Sequence, residues 1–236
     1  MATLSQSALS ISTFGMTADN RPGAEEPRAN LPALLRSALL LDLEVSPSHK
    51  ILQFGAVLGA ETLLRSGSFA LAEALAALAK LAESAACVVG HNVATHDLER
   101  LRQVAPDLRL LRLPVIDTLV LSPIAFPENP YHRLVKDYKL VRASVNDPVA
   151  DARQAGVLFT DEFGSLAGLR QTEPRLFALL HYLLATPDGA GEPLAHGLEL
   201  LFTALGGTRP SQAEAREIGA NCSRSGPAAA FLSLRP

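Results

Sequence analysis

The sequence predicts an α/β fold with a mixed, five-stranded sheet flanked by helices. Three apolar stretches lie close together between residues 38 and 69, which indicates an antiparallel start to the sheet. Beyond residue 70, short apolar stretches alternate with segments of helical periodicity, as in α/β proteins. The chain has 236 residues, 48% of them hydrophobic, which suits one sizeable globular domain with a small addition.

The first predicted strand, residues 38–45, carries an unusual pair of acids. It is apolar apart from Asp42 and Glu44, and such a run fits a central strand that is covered on both sides. The two acids lie two residues apart, so their side chains share a face. Two carboxylates on such a strand cost free energy unless a cation or another partner compensates them. An edge strand with a solvated polar side is the alternative.

Two more strands and a helix are predicted next. Residues 51–58 form the second strand, after a turn that begins at Pro47. A tight connection at Gly59 leads to a third strand over residues 62–69. Residues 70–84 are rich in alanine and leucine at helical spacing, which predicts a helix.

A second strand–helix pair follows. Residues 87–90 form a short buried strand, and a helix is predicted over residues 95–104. Asp97 falls in the first turn of that helix, where the helix dipole alone can explain an acid. Another strand is predicted over residues 114–118, and Asp117 at its end can cap a helix.

A proline-rich stretch separates this strand from a third predicted helix. Residues 122–146 are predicted to be rich in loop. Asp147 and Pro148 then open a helix, as its N-cap and its first residue, and this helix is expected to end near Phe163. Asp151 lies one turn into it, and an exposed helical acid is the simplest interpretation of that residue.

The C-terminal third is predicted to be helical and then loosely packed. Helices are expected over residues 175–185 and 194–205, and the chain from Gly206 onwards has few large apolar side chains. The predicted organisation is a flexible leader over residues 1–33, a main domain over residues 34–165, and a helical extension with a loose tail over residues 166–236.

The composition excludes few functions. The net charge of −3 gives no overall basic field, although an enzyme that acts at a nucleic-acid end needs only a local basic groove. Cys87 and Cys222 are too few for a disulfide framework and are expected to be free thiols in a reducing cytosol. No run approaches the ~18 apolar residues of a membrane helix, and residues 1–30 lack the basic start of a signal peptide. A cytoplasmic location without a membrane partner is therefore predicted.

Four carboxylates lie in or at the start of predicted core elements: Asp42, Glu44, Asp97 and Asp151. An acid pair on one strand and single acids that open two later helices can converge on one site. Hard divalent ions such as Mg²⁺ bind carboxylate oxygens and complete their shell with substrate phosphates. Two ions about 4 Å apart can hold the attacking and leaving oxygens of a phosphodiester. The set therefore favours a metal site for phosphodiester chemistry.

At these residues the chain resembles the DEDD superfamily of 3′→5′ exonucleases, which includes polymerase proofreading subunits, ribonuclease T and oligoribonuclease. Residues 40–44 with 51–57 resemble its first motif, residues 89–98 its second and residues 146–152 its third. The Asp117-Thr118 pair matches one that is common between the second and third motifs. An isolated Asp-x-Glu is a weak indication, whereas this ordered set is a strong one.

The resemblance implies a ribonuclease H-like fold and two Mg²⁺ or Mn²⁺ ions. It makes Asp42 the ligand that both metals share. Glu44 and Asp151 would complete one metal site, and Asp97 would act on the second, through water or directly. The backbone and side chain of Leu43 would wedge against the terminal base of the substrate.

His91 and Asn92 of the second motif are expected to bind the nucleic acid. Asn92 would hold the end of the strand. His91 and His96 resemble a metal pair, but neutral imidazole suits Zn²⁺ better than Mg²⁺. Hydrogen bonding within the fold, or contact with the terminal nucleotide, is the preferred interpretation for them.

Two departures from the family pattern matter. The spacing from His91 to Asp97 is one residue longer than in the commonest proofreading pattern. In the DEDDh branch a histidine five residues before the last acid deprotonates the attacking water, and here that position is Asn146. In the DEDDy branch a tyrosine four residues before does so, and here that position is Asp147.

Asn146 cannot serve as a general base because its amide does not titrate near neutral pH. Three interpretations remain open. Asn146 orients the water in a working enzyme whose metals lower the pKa of that water. Alternatively, His132 or Asp147 is a substitute base. In the third interpretation the chain is a pseudo-exonuclease.

A basic stretch with interleaved aromatic residues precedes the third motif. It comprises Tyr131, His132, Arg133, Lys136, Tyr138, Lys139 and Arg142. Such a stretch can contact phosphates and stack on bases near a 3′ end. A solvated surface loop is the alternative interpretation.

The leading functional hypothesis is an exonuclease that removes nucleotides from the 3′ end of single-stranded or frayed DNA. RNA or short oligoribonucleotides are the nearest alternative substrates. A catalytically weak nucleic-acid-binding scaffold is a second class, which Asn146 favours and the four acids oppose. A helicase or another nucleic-acid-processing protein is a partner suggested by analogy of fold alone.

Overall fold

The computed structural model describes residues 31–129, 147–187 and 191–222. Helix α1 is Leu31–Ser37 and leads directly into strand β1, Ala38–Val45. Strands β2 and β3 are Ile51–Leu58 and Glu61–Arg65. Helix α2, Leu71–Leu81, ends in a 3₁₀ turn, Ala82–Ser84. The predicted first two strands are thus confirmed, and the third is shorter than predicted.

The second half of the sheet consists of two strands with short helical segments between them. Strand β4, Cys87–Gly90, leads to a π-helical turn, Val93–Asp97, and then to helix α3, Leu98–Val104. A 3₁₀ turn, Arg109–Arg112, precedes strand β5, Val115–Asp117. Asp97 therefore ends a π turn rather than lying in the first turn of an α-helix, which corrects the prediction.

The remaining described elements are helical: α4 is Thr118–Ala125, α5 Pro148–Thr172, α6 Pro174–Leu184, α7 Glu192–Ala204 and α8 Gln212–Cys222. Three sequence predictions are wrong here. Helix α4 continues through Pro123, where a loop was expected. Helix α5 runs beyond Phe163 across Gly164, where buried Leu166 prolongs its inner face. The tail after Gly206 contains α8, which packs against α6.

The five strands form one mixed sheet in the order β3-β2-β1-β4-β5. Strand β1 pairs antiparallel with β2 and parallel with β4, β2 pairs antiparallel with β3, and β4 pairs parallel with β5. The α/β class and the mixed five-stranded sheet are confirmed. The alternative of an edge strand for residues 38–45 is wrong, because β1 is the central strand.

The sheet separates two hydrophobic clusters. Leu39, Leu41 and Leu43 of β1 pack with Phe54 and with helix α2 on one face. Phe159 and other residues of α5 pack on the opposite face, together with α4, α6 and α7. Because side chains alternate along a strand, Asp42 and Glu44 point to the face that carries α5.

Helix α7 packs closely on the sheet. Gly197 of α7 lies so near β5 that a Cβ atom there would overlap the carbonyl oxygen of Val115. Helix α5 also runs across residues 165 and 166, where the main domain was predicted to end. The predicted division into domains stays a prediction, but helices α6 and α7 share a core with the sheet.

None of the helices within the described ranges has the length and apolar character needed to cross a bilayer.

Candidate metal centre

Three of the four predicted acids lie together at the end of the central strand. Asp42 and Glu44 come from β1 and Asp151 from the first turn of α5, and one carboxylate oxygen of each lies within 4.8 Å of the others. All three residues are partly buried. We call these three residues the acidic triad.

The start of α5 places Asp151 over the strand. Asp147 caps the helix, because its Oδ1 accepts hydrogen bonds from the backbone N–H groups of Val149 at 3.0 Å and Ala150 at 3.2 Å. Gly55 of β2 is paired with Asp42, and its missing side chain lets the helix approach the sheet. A Cβ atom on Gly55 would overlap the backbone nitrogen of Val149.

The acidic triad can hold a metal ion. Three carboxylates at this separation repel one another when ionised, and a divalent cation offsets that repulsion. Their oxygen atoms are hard donors of the kind that Mg²⁺, Mn²⁺ and Ca²⁺ prefer. Groups of exposed acids also occur on proteins without a metal, so the triad alone does not specify the ion.

Asp97 lies beside the acidic triad in a different environment. It is 3% exposed, and its Oδ1 accepts a hydrogen bond from the backbone N–H of Leu43 at 2.6 Å. Burial raises the pKa of Asp97, while the hydrogen bond from His96 acts in the opposite direction. Asp97 thus contacts β1 at the residue between Asp42 and Glu44.

Leu43 itself faces away from the acids. Its side chain is 3% exposed and packs in the cluster beneath α2. A contact between this side chain and a terminal base stays a prediction, and it needs the side chain to become accessible.

The two histidines of the second motif have different partners. His96 Nδ1 lies 3.5 Å from Asp97 Oδ2, and the hydrogen bond with Asp97 raises the pKa of His96. His91 Nδ1 lies 2.9 Å from the Thr118 hydroxyl oxygen, and burial lowers the pKa of His91. The Thr118 hydroxyl also lies 3.3 Å from the Gly90 carbonyl oxygen, so it links His91 to the end of β4.

The turn before Asp97 is held by a residue to which the sequence assigned only a capping role. Asp117 is 1% exposed, and its carboxylate accepts hydrogen bonds from three backbone N–H groups. Those of Asn92 and Leu119 reach Oδ1 at 2.8 and 2.9 Å, and that of Ala94 reaches Oδ2 at 3.0 Å. The Asp-Thr pair was the available indication of this role, but its contact with the second motif was not predicted.

Asn92 has a left-handed backbone, with φ 60°. Its side-chain oxygen accepts a hydrogen bond from the Thr95 hydroxyl at 2.6 Å. The expected contact of Asn92 with a nucleic-acid end stays a prediction.

Several predicted site residues lie outside the described residues. They are Asn146, His132, Arg133 and Lys136, together with Tyr131, Tyr138, Lys139 and Arg142. Their roles as water-orienting residue, substitute base and nucleic-acid contacts stay predictions.

No protein-family model, curated protein or solved structure matches this chain significantly.

Proposed function

We propose that this chain is a metal-dependent 3′→5′ exonuclease of the DEDD type with a ribonuclease H-like fold. The observation that carries the proposal is the acidic triad at the end of a central strand, with Asp97 hydrogen-bonded to the same strand. The mixed sheet and the long helix that supplies Asp151 are consistent with a ribonuclease H-like arrangement. The proposed substrate is the 3′ end of single-stranded or frayed DNA.

The donor set suits the proposed cofactors. Asp42, Glu44 and Asp151 would hold one Mg²⁺ or Mn²⁺ ion, and Asp42 with Asp97 would face a second. When bound, two such ions stabilise the charge on the attacking and leaving oxygens of a phosphodiester. The contribution of the protein is to fix the carboxylates before substrate arrives, and the cap at Asp147 and the close approach at Gly55 do this for Asp151.

The open alternatives differ in which residue activates the attacking water. Asp147 Oδ1 already accepts two backbone hydrogen bonds at the start of α5, which speaks against Asp147 as a substitute base. Asn146 as a water-orienting residue and His132 as a base remain within the proposal. A cytoplasmic location, inferred from the two cysteines, is also part of it.

The experiment that tests the proposal uses 5′-labelled single-stranded DNA and RNA with Mg²⁺, Mn²⁺ or EDTA. We expect a metal-dependent ladder that shortens from the 3′ end and disappears in Asp42→Asn. The matched control is Asp107→Asn, which changes an exposed acid away from the triad and should cleave normally. If neither polymer is cleaved with either metal, the proposed function is wrong.

A catalytically weak nucleic-acid-binding scaffold is the second candidate, and Asn146 is the observation that favours it. Retained binding of labelled DNA without cleavage would support the scaffold. Asn146→His separates the two further, because a large gain in rate would mean that the native chain activates water poorly.

A further inference from the structure

Asp117 connects two segments that meet at the candidate site. It ends β5 and caps α4 through the backbone N–H of Leu119. The same carboxylate also accepts hydrogen bonds from Asn92 and Ala94, which begin the turn after β4. One buried carboxylate therefore fixes the ends of two parallel strands relative to each other.

The turn after β4 needs such a partner. The first N–H groups of any helical turn have no acceptor within the turn, and here Asp117 supplies it for Asn92 and Ala94. Asn92 also adopts the left-handed backbone region, and the π-helical turn Val93–Asp97 is an uncommon conformation. Such conformations persist where the surrounding contacts determine them strongly.

The far end of this turn is Asp97. Its Oδ1 contacts the N–H of Leu43, between Asp42 and Glu44. At the near end, a Cβ atom on Gly90 would lie 2.7 Å from the Leu41 carbonyl oxygen, so the end of β4 lies directly against β1. The position of Asp97 therefore depends on the conformation of the six residues between these two contacts, residues 91–96.

We infer that Asp117 is a positioning residue for Asp97: its carboxylate holds the turn of residues 92–97 in the conformation that places Asp97 on Leu43. Asp117 is not a member of the acidic triad, and we infer that it acts on the candidate site through Asp97. Its effect on cleavage rests on the proposed nuclease function, whereas its effect on the Asp97–Leu43 hydrogen bond does not.

The test is Asp117→Asn, which keeps the size of the side chain but leaves one accepting oxygen. The control is Phe163→Leu, a core variant that lowers stability without touching the turn. We expect the Leu43 amide resonance in ¹H–¹⁵N spectra to shift in Asp117→Asn only. Its hydrogen exchange should accelerate by about tenfold or more, while amides of β2 keep their protection.

In the nuclease assay, kcat of Asp117→Asn should fall by about 10- to 100-fold with KM little changed, because the displaced group acts on the reaction rather than on substrate binding. A folded Asp117→Asn protein whose Leu43 amide matches wild type overturns the inference. If wild type cleaves nothing, the proposed function fails, and the Leu43 amide still decides this inference.

A second variant keeps the test decisive if Asp117→Asn does not fold. Ala94→Pro removes one N–H donor to Asp117, and proline is tolerated in a first helical turn. It leaves the carboxylate and its cap on α4 in place. The same displacement of the Leu43 amide is expected, and an unchanged Leu43 amide in a folded Ala94→Pro protein contradicts the inference.

Discussion

Glu162 of α5 lies fully buried against α4, where its Oε1 accepts a hydrogen bond from the Ser122 hydroxyl at 2.6 Å. Its Oε2 has no hydrogen-bond partner among the described residues. Burial raises the pKa of Glu162 to about 8, the Ser122 hydroxyl lowers it in part, and the charges of Asp117 and Asp161 raise it. The folded protein therefore keeps Glu162 protonated at neutral pH.

This raised pKa predicts a loss of stability with increasing pH. Below about 4.5 both states carry the protonated acid, whereas between about 4.5 and about 8 only the unfolded chain ionises it. Glu162→Gln cannot ionise, so it should gain stability over wild type as pH rises through this window. Urea unfolding of both proteins at pH 5 and pH 8 measures the difference. Parallel pH profiles would contradict the raised pKa.

If Glu44 is a metal ligand, metal binding should stabilise the folded protein. A ligand that binds only the folded state stabilises it by about 2.7 kcal/mol at 100 times its Kd. We therefore expect the melting temperature of wild type to rise with Mg²⁺ or Mn²⁺, and that of Glu44→Gln to respond much less. Glu61→Gln, at an exposed position on β3, is the control and should respond like wild type. Equal responses of all three proteins would exclude the acidic triad as the binding site.

The acidic residues differ in how far the sequence alone predicted their roles. Asp42 and Glu44 were predictable because they interrupt an apolar strand. Asp97 was predicted as a site residue, but its hydrogen bond to Leu43 depends on the backbone of a π turn, which no side-chain pattern encodes. The burial of Glu162 was not predicted, because an acid on a helix is ordinarily exposed. Its burial depends on helix α4, which packs against it.

Among the elements, helix α5 owes the position of its first turn to a glycine of strand β2, Gly55. A Cβ atom on Gly55 would lie 2.6 Å from the Pro148 carbonyl oxygen as well as overlapping Val149. These are backbone atoms, so the clash can be relieved only by moving the start of α5 away from β2. Asp151 would move with it.

Gly55→Ala should therefore destabilise the protein by about 1–3 kcal/mol and weaken the stabilisation by Mg²⁺. Gly164→Ala is the matched control, since open space surrounds Gly164 within α5. That change should stabilise by about 0.5–1 kcal/mol, because alanine is the better helix former, and should leave the metal response intact. Chemical unfolding with and without Mg²⁺ measures both. A metal response that survives Gly55→Ala unchanged would refute the packing argument.

The bounds of the elements were predictable where a cap or an apolar period marked them. Asp147 and Pro148 gave the start of α5 correctly. Gly164 suggested its end wrongly, because the buried face continues through Leu166. The start of α8 is a capping box, in which Ser211 N–H donates to Glu214 and Glu214 N–H to Ser211, and this pattern was present in the sequence.

For the whole molecule, the order of strands followed from the sequence only in part. Short connections implied the antiparallel pairs β1–β2 and β2–β3, and the long connections through helices suit the parallel pairs with β4 and β5. The packing of α7 on β5 was not predictable, because it depends on Gly197 meeting a strand far away in sequence. Periodicity reports which face of a helix is apolar, not which partner covers it.

That packing has a consequence for the growing chain. Strand β5 leaves the ribosome long before helix α7, so the contact between Gly197 and Val115 forms only when most of the protein has been synthesised. Contacts between residues this distant are slow to form, because the intervening chain must first be ordered. A polypeptide that stops early would carry all four acids and lack the support for one end of the sheet. One edge of the sheet is thus completed late, by a part of the chain that contributes none of the four acids.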